Sequence, residues 1–332
     1  MKTSFKFIAI FLLSALFAAC GKESTSQNNR NSQNVVRLPL DEGGHPDRFM
    51  EWWYGNFHLV SSTGVPIELM VAYFNKGLRI ISASDENAKV FYQEPEFGII
   101  DSPPGILNMT WSDYIVKDRW FSSEADPDSY TLQFSGLKLT GNLTFKSTRT
   151  PLLPGGGYVS WSMGNSYYYS LTRLDTAGKI FLLGDTYTVT GLGWMDHQFG
   201  DFKTRKPWEW FSVQLDDRTD LIAWNIYEPD GSISSREVTI LRPDDSQVHG
   251  IPVELEPTRK WKSPETGNVY STAWTLKVPS ENIDLALSAT FEEKEIPFPA
   301  INFWEGGVAV SGTNNGAPAT GKAFAEITQY TE

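Results

Sequence analysis

Glu51-Trp52-Trp53-Tyr54-Gly55-Asn56-Phe57-His58-Leu59-Val60 is the stretch that decides the fold. Side chains of an extended strand point alternately to the two faces of a sheet. On that rule Trp52, Tyr54, Asn56, His58 and Val60 share one face, and Trp53, Gly55, Phe57 and Leu59 share the other. Ser61-Ser62-Thr63-Gly64 then makes a turn into a second apolar run, Val65 to Phe74. Working outward, strands are predicted at 130–134, 141–146, 167–173, 180–190, 238–241, 270–278, 285–291, 306–310 and 324–328. Trp208 to Asp216 and Asp220 to Tyr227 form a predicted hairpin across Asp217-Arg218-Thr219. Pro229-Asp230-Gly231 supplies turn chemistry: a fixed φ, a side-chain cap, and a residue free to take positive φ. No long segment keeps a helical apolar period. Many short strands separated by turn signals predict an all-β chain, a sandwich or barrel. They are numerous for one barrel, and two barrels of about 150 residues each fit ordinary domain size. The expected division is 37–192 and 193–332, with no exact internal repeat.

The first residues read as an export signal, 1–19. Lys2 and Lys6 precede an apolar run from Phe7 to Ala19 that is too short for an ordinary membrane span. Leu16-Phe17-Ala18-Ala19-Cys20 resembles a lipoprotein cleavage box, which makes Cys20 the expected site of lipidation. Acyl chains contribute about 0.8 kcal/mol per buried methylene, so several together anchor a soluble domain. The plainer alternative is a signal peptide with a chance cysteine. Gly21 to about Asn34 offers nothing apolar to bury, and residues 20–36 read as the lipidated cysteine and a flexible tether. The expected location is the bacterial cell envelope. In a Gram-negative cell, Gly21 after the cysteine is compatible with the outer membrane.

Cys20 is the only cysteine, so no disulfide within the chain supports the fold. Twelve Trp, thirteen Tyr and twenty Phe exceed the needs of a plain core and suggest an aromatic cavity or an interdomain seam. The net charge is −12 before the leader's two lysines are removed. That balance repels a phosphate backbone, and no basic cluster offsets it, so nucleic acid is excluded as a partner.

Two clusters carry candidate chemistry: His45-Pro46-Asp47-Arg48-Phe49-Met50-Glu51-Trp52-Trp53-Tyr54, and Trp194-Met195-Asp196-His197-Gln198-Phe199-Gly200. With Tyr167-Tyr168-Tyr169-Ser170, Trp208-Glu209-Trp210-Phe211, Phe303-Trp304-Glu305-Gly306-Gly307-Val308 and Ala325-Glu326-Ile327-Thr328-Gln329-Tyr330, they resemble the carotenoid 1,2-hydratase-like family, which includes AttH-like secreted proteins. The resemblance spans nearly all of the chain beyond the leader, in order. It implies two tandem lipocalin-like β-barrels packed together. The family holds carotenoid hydratases, a plant-antitoxin hydratase, pericyclase-type enzymes and secreted proteins, some encoded beside components of ABC-type transporters. Fold membership therefore leaves the reaction open.

Hydration of an isolated alkene needs a protonated acid in a dry pocket and π-faces near the developing cation. Burial keeps a carboxyl protonated, and Asp196 between Trp194 and His197 suits that role. In the hydratases the Asp of this motif and the aromatic two residues before it are implicated in catalysis, which carries over to Asp196 and Trp194. His197 completes the catalytic candidates. Glu51, Trp52, Trp53, Tyr54, Tyr168 and Gln198 are the candidate ligand contacts, with Glu51 as the alternative acid. If 194–198 is a regular strand, Asp196 and His197 face opposite ways, and only a bulge or turn would unite them. An Asp-His pair is also a common structural clamp, and Glu51-Trp52-Trp53 can equally be packing. Four scattered histidines without His-x-His or His-x3-His spacing argue against a zinc site, and no cofactor is expected. No Gly-x-Ser-x-Gly elbow is present, and Pro154-Gly155-Gly156-Gly157 lacks the lysine of a phosphate loop. The two functions left in play are a hydratase acting on an elongated isoprenoid or lipid-like molecule and a non-catalytic carrier of such a ligand.

Overall fold

The computed structural model describes residues 35–203, 206–299 and 301–330. The expected export signal, 1–19, and Cys20 lie outside the described residues. The chain is all-β, in two sheets. The first contains β1 (Met50–Ser61), β2 (Pro66–Phe74), β3 (Leu78–Asp85), β4 (Val90–Phe97), β5 (Ile99–Asp101), β6 (Asn108–Ser112), β7 (Lys117–Ser122), β8 (Ser129–Ser135), β9 (Leu139–Ser147), β10 (Tyr158–Trp161), β11 (Gly164–Leu182) and β12 (Asp185–Phe202). The second contains β13 (Trp208–Leu215), β14 (Asp220–Tyr227), β15 (Ile233–Leu241), β16 (Gln247–Ile251), β17 (Glu254–Lys262), β18 (Val269–Val278), β19 (Ile283–Ala289), β20 (Glu295–Ile296), β21 (Ile301–Asn314) and β22 (Ala317–Tyr330).

Strand order shows a duplication that the sequence conceals. The first sheet runs β4-β3-β2-β1-β12-β11-β9-β8-β7-β6-β5, and the second runs β16-β15-β14-β13-β22-β21-β19-β18-β17. In each, the opening strand is inserted beside the closing hairpin. Each sheet curls into a barrel-like half around its own core. Trp53, Phe57, Trp111, Trp120 and Tyr169 fill the first. Phe211, Trp274, Leu285 and Trp304 fill the second. A third apolar cluster, including Tyr54, Met70, Trp194, Trp210, Trp224 and Phe303, packs between the outer faces of the halves.

The alternation expected for 51–60 is observed. Trp53, Phe57 and Leu59 point into the first barrel, and Trp52 and Tyr54 pack at the seam. Two expectations need correction. The boundary expected at 192/193 falls inside β12, which stays in the first sheet as far as Phe202. The single strand expected at 180–190 is a hairpin turning at Leu183 and Gly184, both at positive φ. Such a turn usually announces itself by Asn or Asp before Gly, and leucine gives no cue.

Buried polar groups also join the halves. A bulge on β11 between Leu171 and Leu174 frees Thr172 and Arg173 from the ladder. Both reach Asp220 on β14: Thr172 Oγ1 donates to Oδ2 at 2.7 Å, and Arg173 Nη2 pairs with Oδ1 at 2.7 Å. Arg149 Nη1 adds a third contact at 2.9 Å. Elsewhere on the seam, buried Lys294 of the second half donates to Glu86 of the first at 2.8 Å.

Candidate functional site

The two halves enclose a cavity of about 240 Å³ in their seam. The first half contributes Trp52 and Tyr54 from β1, Tyr168 from β11, and Asp196 and Gln198 from β12. The second contributes Trp208 and Trp210 from β13, Trp224 from β14, Phe303 from β21 and Glu326 from β22. Exposed Phe49, Lys76, Phe97 and Lys203 form the rim.

Asp196 sits at the wall, almost wholly buried. Trp194 Nε1 donates to its Oδ1 at 2.6 Å, and Tyr168 Oη donates to its Oδ2 at 2.5 Å. Trp210 Nε1, from the other half, donates to Tyr168 Oη at 3.0 Å. Burial raises the Asp196 pKa to about 7, outweighing the pull of the Tyr168 and Trp194 donors. A carboxyl that would be ionised in water is therefore substantially protonated here near neutral pH.

A second acid group faces the same space. Glu305 on β21 and Glu326 on β22 are cross-strand partners. Burial raises both, and the neighbouring Glu326 charge holds Glu305 well above the usual carboxylate range. Glu305 thus keeps its proton near neutral pH, and the two carboxyls titrate as a coupled pair. Tyr54 Oη donates across the seam to Glu305 at 3.3 Å, and Trp208 Nε1 donates to Glu326. The duplicated topology explains the layout. Tyr54 on β1 lies opposite Asp196 on β12, and Trp210 on β13 lies opposite Glu326 on β22. Each sheet thus places a cross-strand aromatic–acid pair, on equivalent strands, at the seam.

Of the residues singled out by sequence, Asp196, Trp52, Tyr54, Tyr168 and Gln198 line the cavity. Trp194 is fully buried and holds Asp196 through its indole N–H. Glu51, Trp53 and His197 do not reach it. The β11 bulge lies opposite Trp194, but β12 continues in regular pairing with β1. Asp196 and His197 therefore keep opposite faces. His197 turns inward, stacks on Trp53 at 4.8 Å, and its Nε2 meets Glu51 Oε1 at 2.9 Å. Histidine donors overcome the effect of burial and hold Glu51 ionised, with a pKa of about 2, so it cannot serve as an alternative acid. Glu305, Glu326, Trp208 and Trp210 lie in the motifs that carry the family resemblance, but sequence did not mark them, or Trp224, as site residues. The alternation of Trp208 with Trp210 was their available signal.

An all-β tandem barrel with an acid-bearing aromatic seam is the class that fold and site define. The chain belongs to the AttH-like family, whose model matches residues 105–330. The crystal structure of the AttH-type protein NE1406 of Nitrosomonas europaea superposes with a TM-score of 0.77 at 23% identity, covering 90% of this chain and 98% of that one. Kievitone hydratase from Nectria haematococca gives 0.76 at 20% identity, covering 93% and 97%. CghA in complex with Sch210972 gives 0.61 at 13% identity, covering 90% and 96%. At these identities the likeness is one of fold. Among curated proteins, none matches this chain by sequence.

Proposed function

We propose that the seam cavity binds an elongated apolar molecule carrying a carbon–carbon double bond and adds water across that bond. Asp196 gives its proton to one alkene carbon. The cation that forms on the other carbon faces the π-clouds of Trp52, Trp210 and Trp224. A water molecule attacks it, and Glu326 takes the proton the water loses. The observation that carries this reading is a buried carboxyl, its pKa raised to about 7 by burial, at the wall of an aromatic cavity. A hydratase among the structural neighbours supports it.

The test is turnover of an isoprenoid and unsaturated-lipid panel in 18O-labelled water. One labelled oxygen in the product, lost in Asp196→Asn, is the expected result. The rival reading, a carrier, draws on the side-chain donor that each Asp196 oxygen already accepts, as a structural clamp would. Recovery of bound ligand unchanged, with no label from any substrate, would favour the carrier.

A further inference from the structure

Behind β12, on the side away from the cavity, three side chains from separate segments converge. We propose that His45, Glu51 and His197 form a binding site for one divalent transition-metal ion of the zinc class.

One ligand atom from each residue lies within 4.8 Å of the others. His45 Nδ1 and His197 Nε2 both approach the same oxygen, Glu51 Oε1, at 2.8 and 2.9 Å. Two imidazole nitrogens and one carboxylate oxygen are a donor set that suits zinc, with room for a fourth ligand. Calcium and magnesium prefer oxygen-only shells.

The surroundings match those of ligating histidines, whose second nitrogen is normally held by an outer partner that fixes the tautomer. His197 Nδ1 lies 3.3 Å from Tyr169 Oη. His45 Nε2 lies 3.9 Å from Asp41 Oδ1. Ring stacking fixes the donors: His45 lies on Phe199 at 3.5 Å and 5°, and His197 lies on Trp53. The His45 side chain is 21% exposed, which gives an ion a way in, while Glu51 and His197 are closed off.

No His-x-His spacing announces the cluster, because pairing of β1 with β12 assembles it across the sheet. The ion would tie the segment before β1 to both strands, directly behind Asp196.

The test is titration of chelator-stripped full-length protein with Zn²⁺ by calorimetry, and with Co²⁺ by visible absorption. About one equivalent should bind, with the Co²⁺ spectrum of a low-coordinate nitrogen–oxygen site. His45→Ala, near the surface, should weaken binding at least tenfold while circular dichroism stays unchanged. Asp41→Asn, which neutralises the carboxylate near the outer nitrogen while an amide oxygen can still accept from the Arg37 backbone, should weaken it by about tenfold. Exposed His249 on β16 serves as the control, and His249→Ala should bind as the parent does. Substoichiometric binding would overturn the proposal. So would binding that survives His45→Ala, or binding lost in His249→Ala.

Discussion

Asp196 and His197 are chain neighbours that serve opposite sides of one strand: the first faces the seam cavity, the second the interior of the first barrel. Their substitutions should therefore separate. Asp196→Asn keeps the size and the indole donor, so the melting temperature should hold while turnover falls by about 10²–10⁴-fold. His197→Gln removes a fully buried partner of ionised Glu51 and should lower unfolding free energy by about 3 kcal/mol in chemical denaturation.

The pH dependence follows from the same carboxyl. Turnover needs the protonated form, so it should persist in mild acid and decline as pH rises through about 7. Stability carries the same sign. The folded pKa lies above the ordinary value of 3.8, so the folded state pays an increasing penalty as pH climbs from that value toward 7. Melting temperatures of the parent should fall over this window, whereas Asp196→Asn should show a flatter profile.

Tyr168 acts on Asp196 rather than on substrate in this scheme. Its hydroxyl stabilises the ionised carboxylate, so Tyr168→Phe should raise the Asp196 pKa further. The alkaline limb of the pH–rate profile should move upward. A limb that stays put would assign Tyr168 to packing alone.

Asp220 receives Arg149, Arg173 and Thr172 from the other half. Asp220→Ala leaves the Arg173 guanidinium without a carboxylate at the seam, while Arg149 keeps only Asp245. A loss of about 3–5 kcal/mol is expected. Because the contact joins the halves, calorimetry should also show the unfolding endotherm broaden or split.

Cys20 lies outside the described residues, and its role is tested in cells. Fractionation should find the parent with the membrane and Cys20→Ser in the soluble fraction.

Much of this architecture was legible from residue order. The 51–60 alternation assigned Trp52 and Tyr54 to one face and Trp53 to the other, and the faces proved to be seam and barrel interior. Asp196 stood out because an acid among aromatics has few roles. The other half of the site was hidden for a physical reason. Glu326 gains its meaning from Glu305 across a strand pair and from Asp196 across the seam, neither of which local spacing encodes. The duplication was hidden too, since strand order repeats while side chains do not. Gly193 shows the limit in miniature: an added Cβ would lie 2.5 Å from Phe57 on the neighbouring strand, a constraint visible only after pairing.

A seam shared by two halves also dictates a timetable. The chain completes its first sheet at Phe202, but Tyr54, Met70 and Trp194 find cover only when strands as late as β22 arrive. During synthesis the leading half therefore presents a greasy flank to its surroundings, the kind of surface that invites self-association. An escort that shields apolar surface suits this interval, and a fragment ending near Phe202 should clump rather than remain as a soluble barrel.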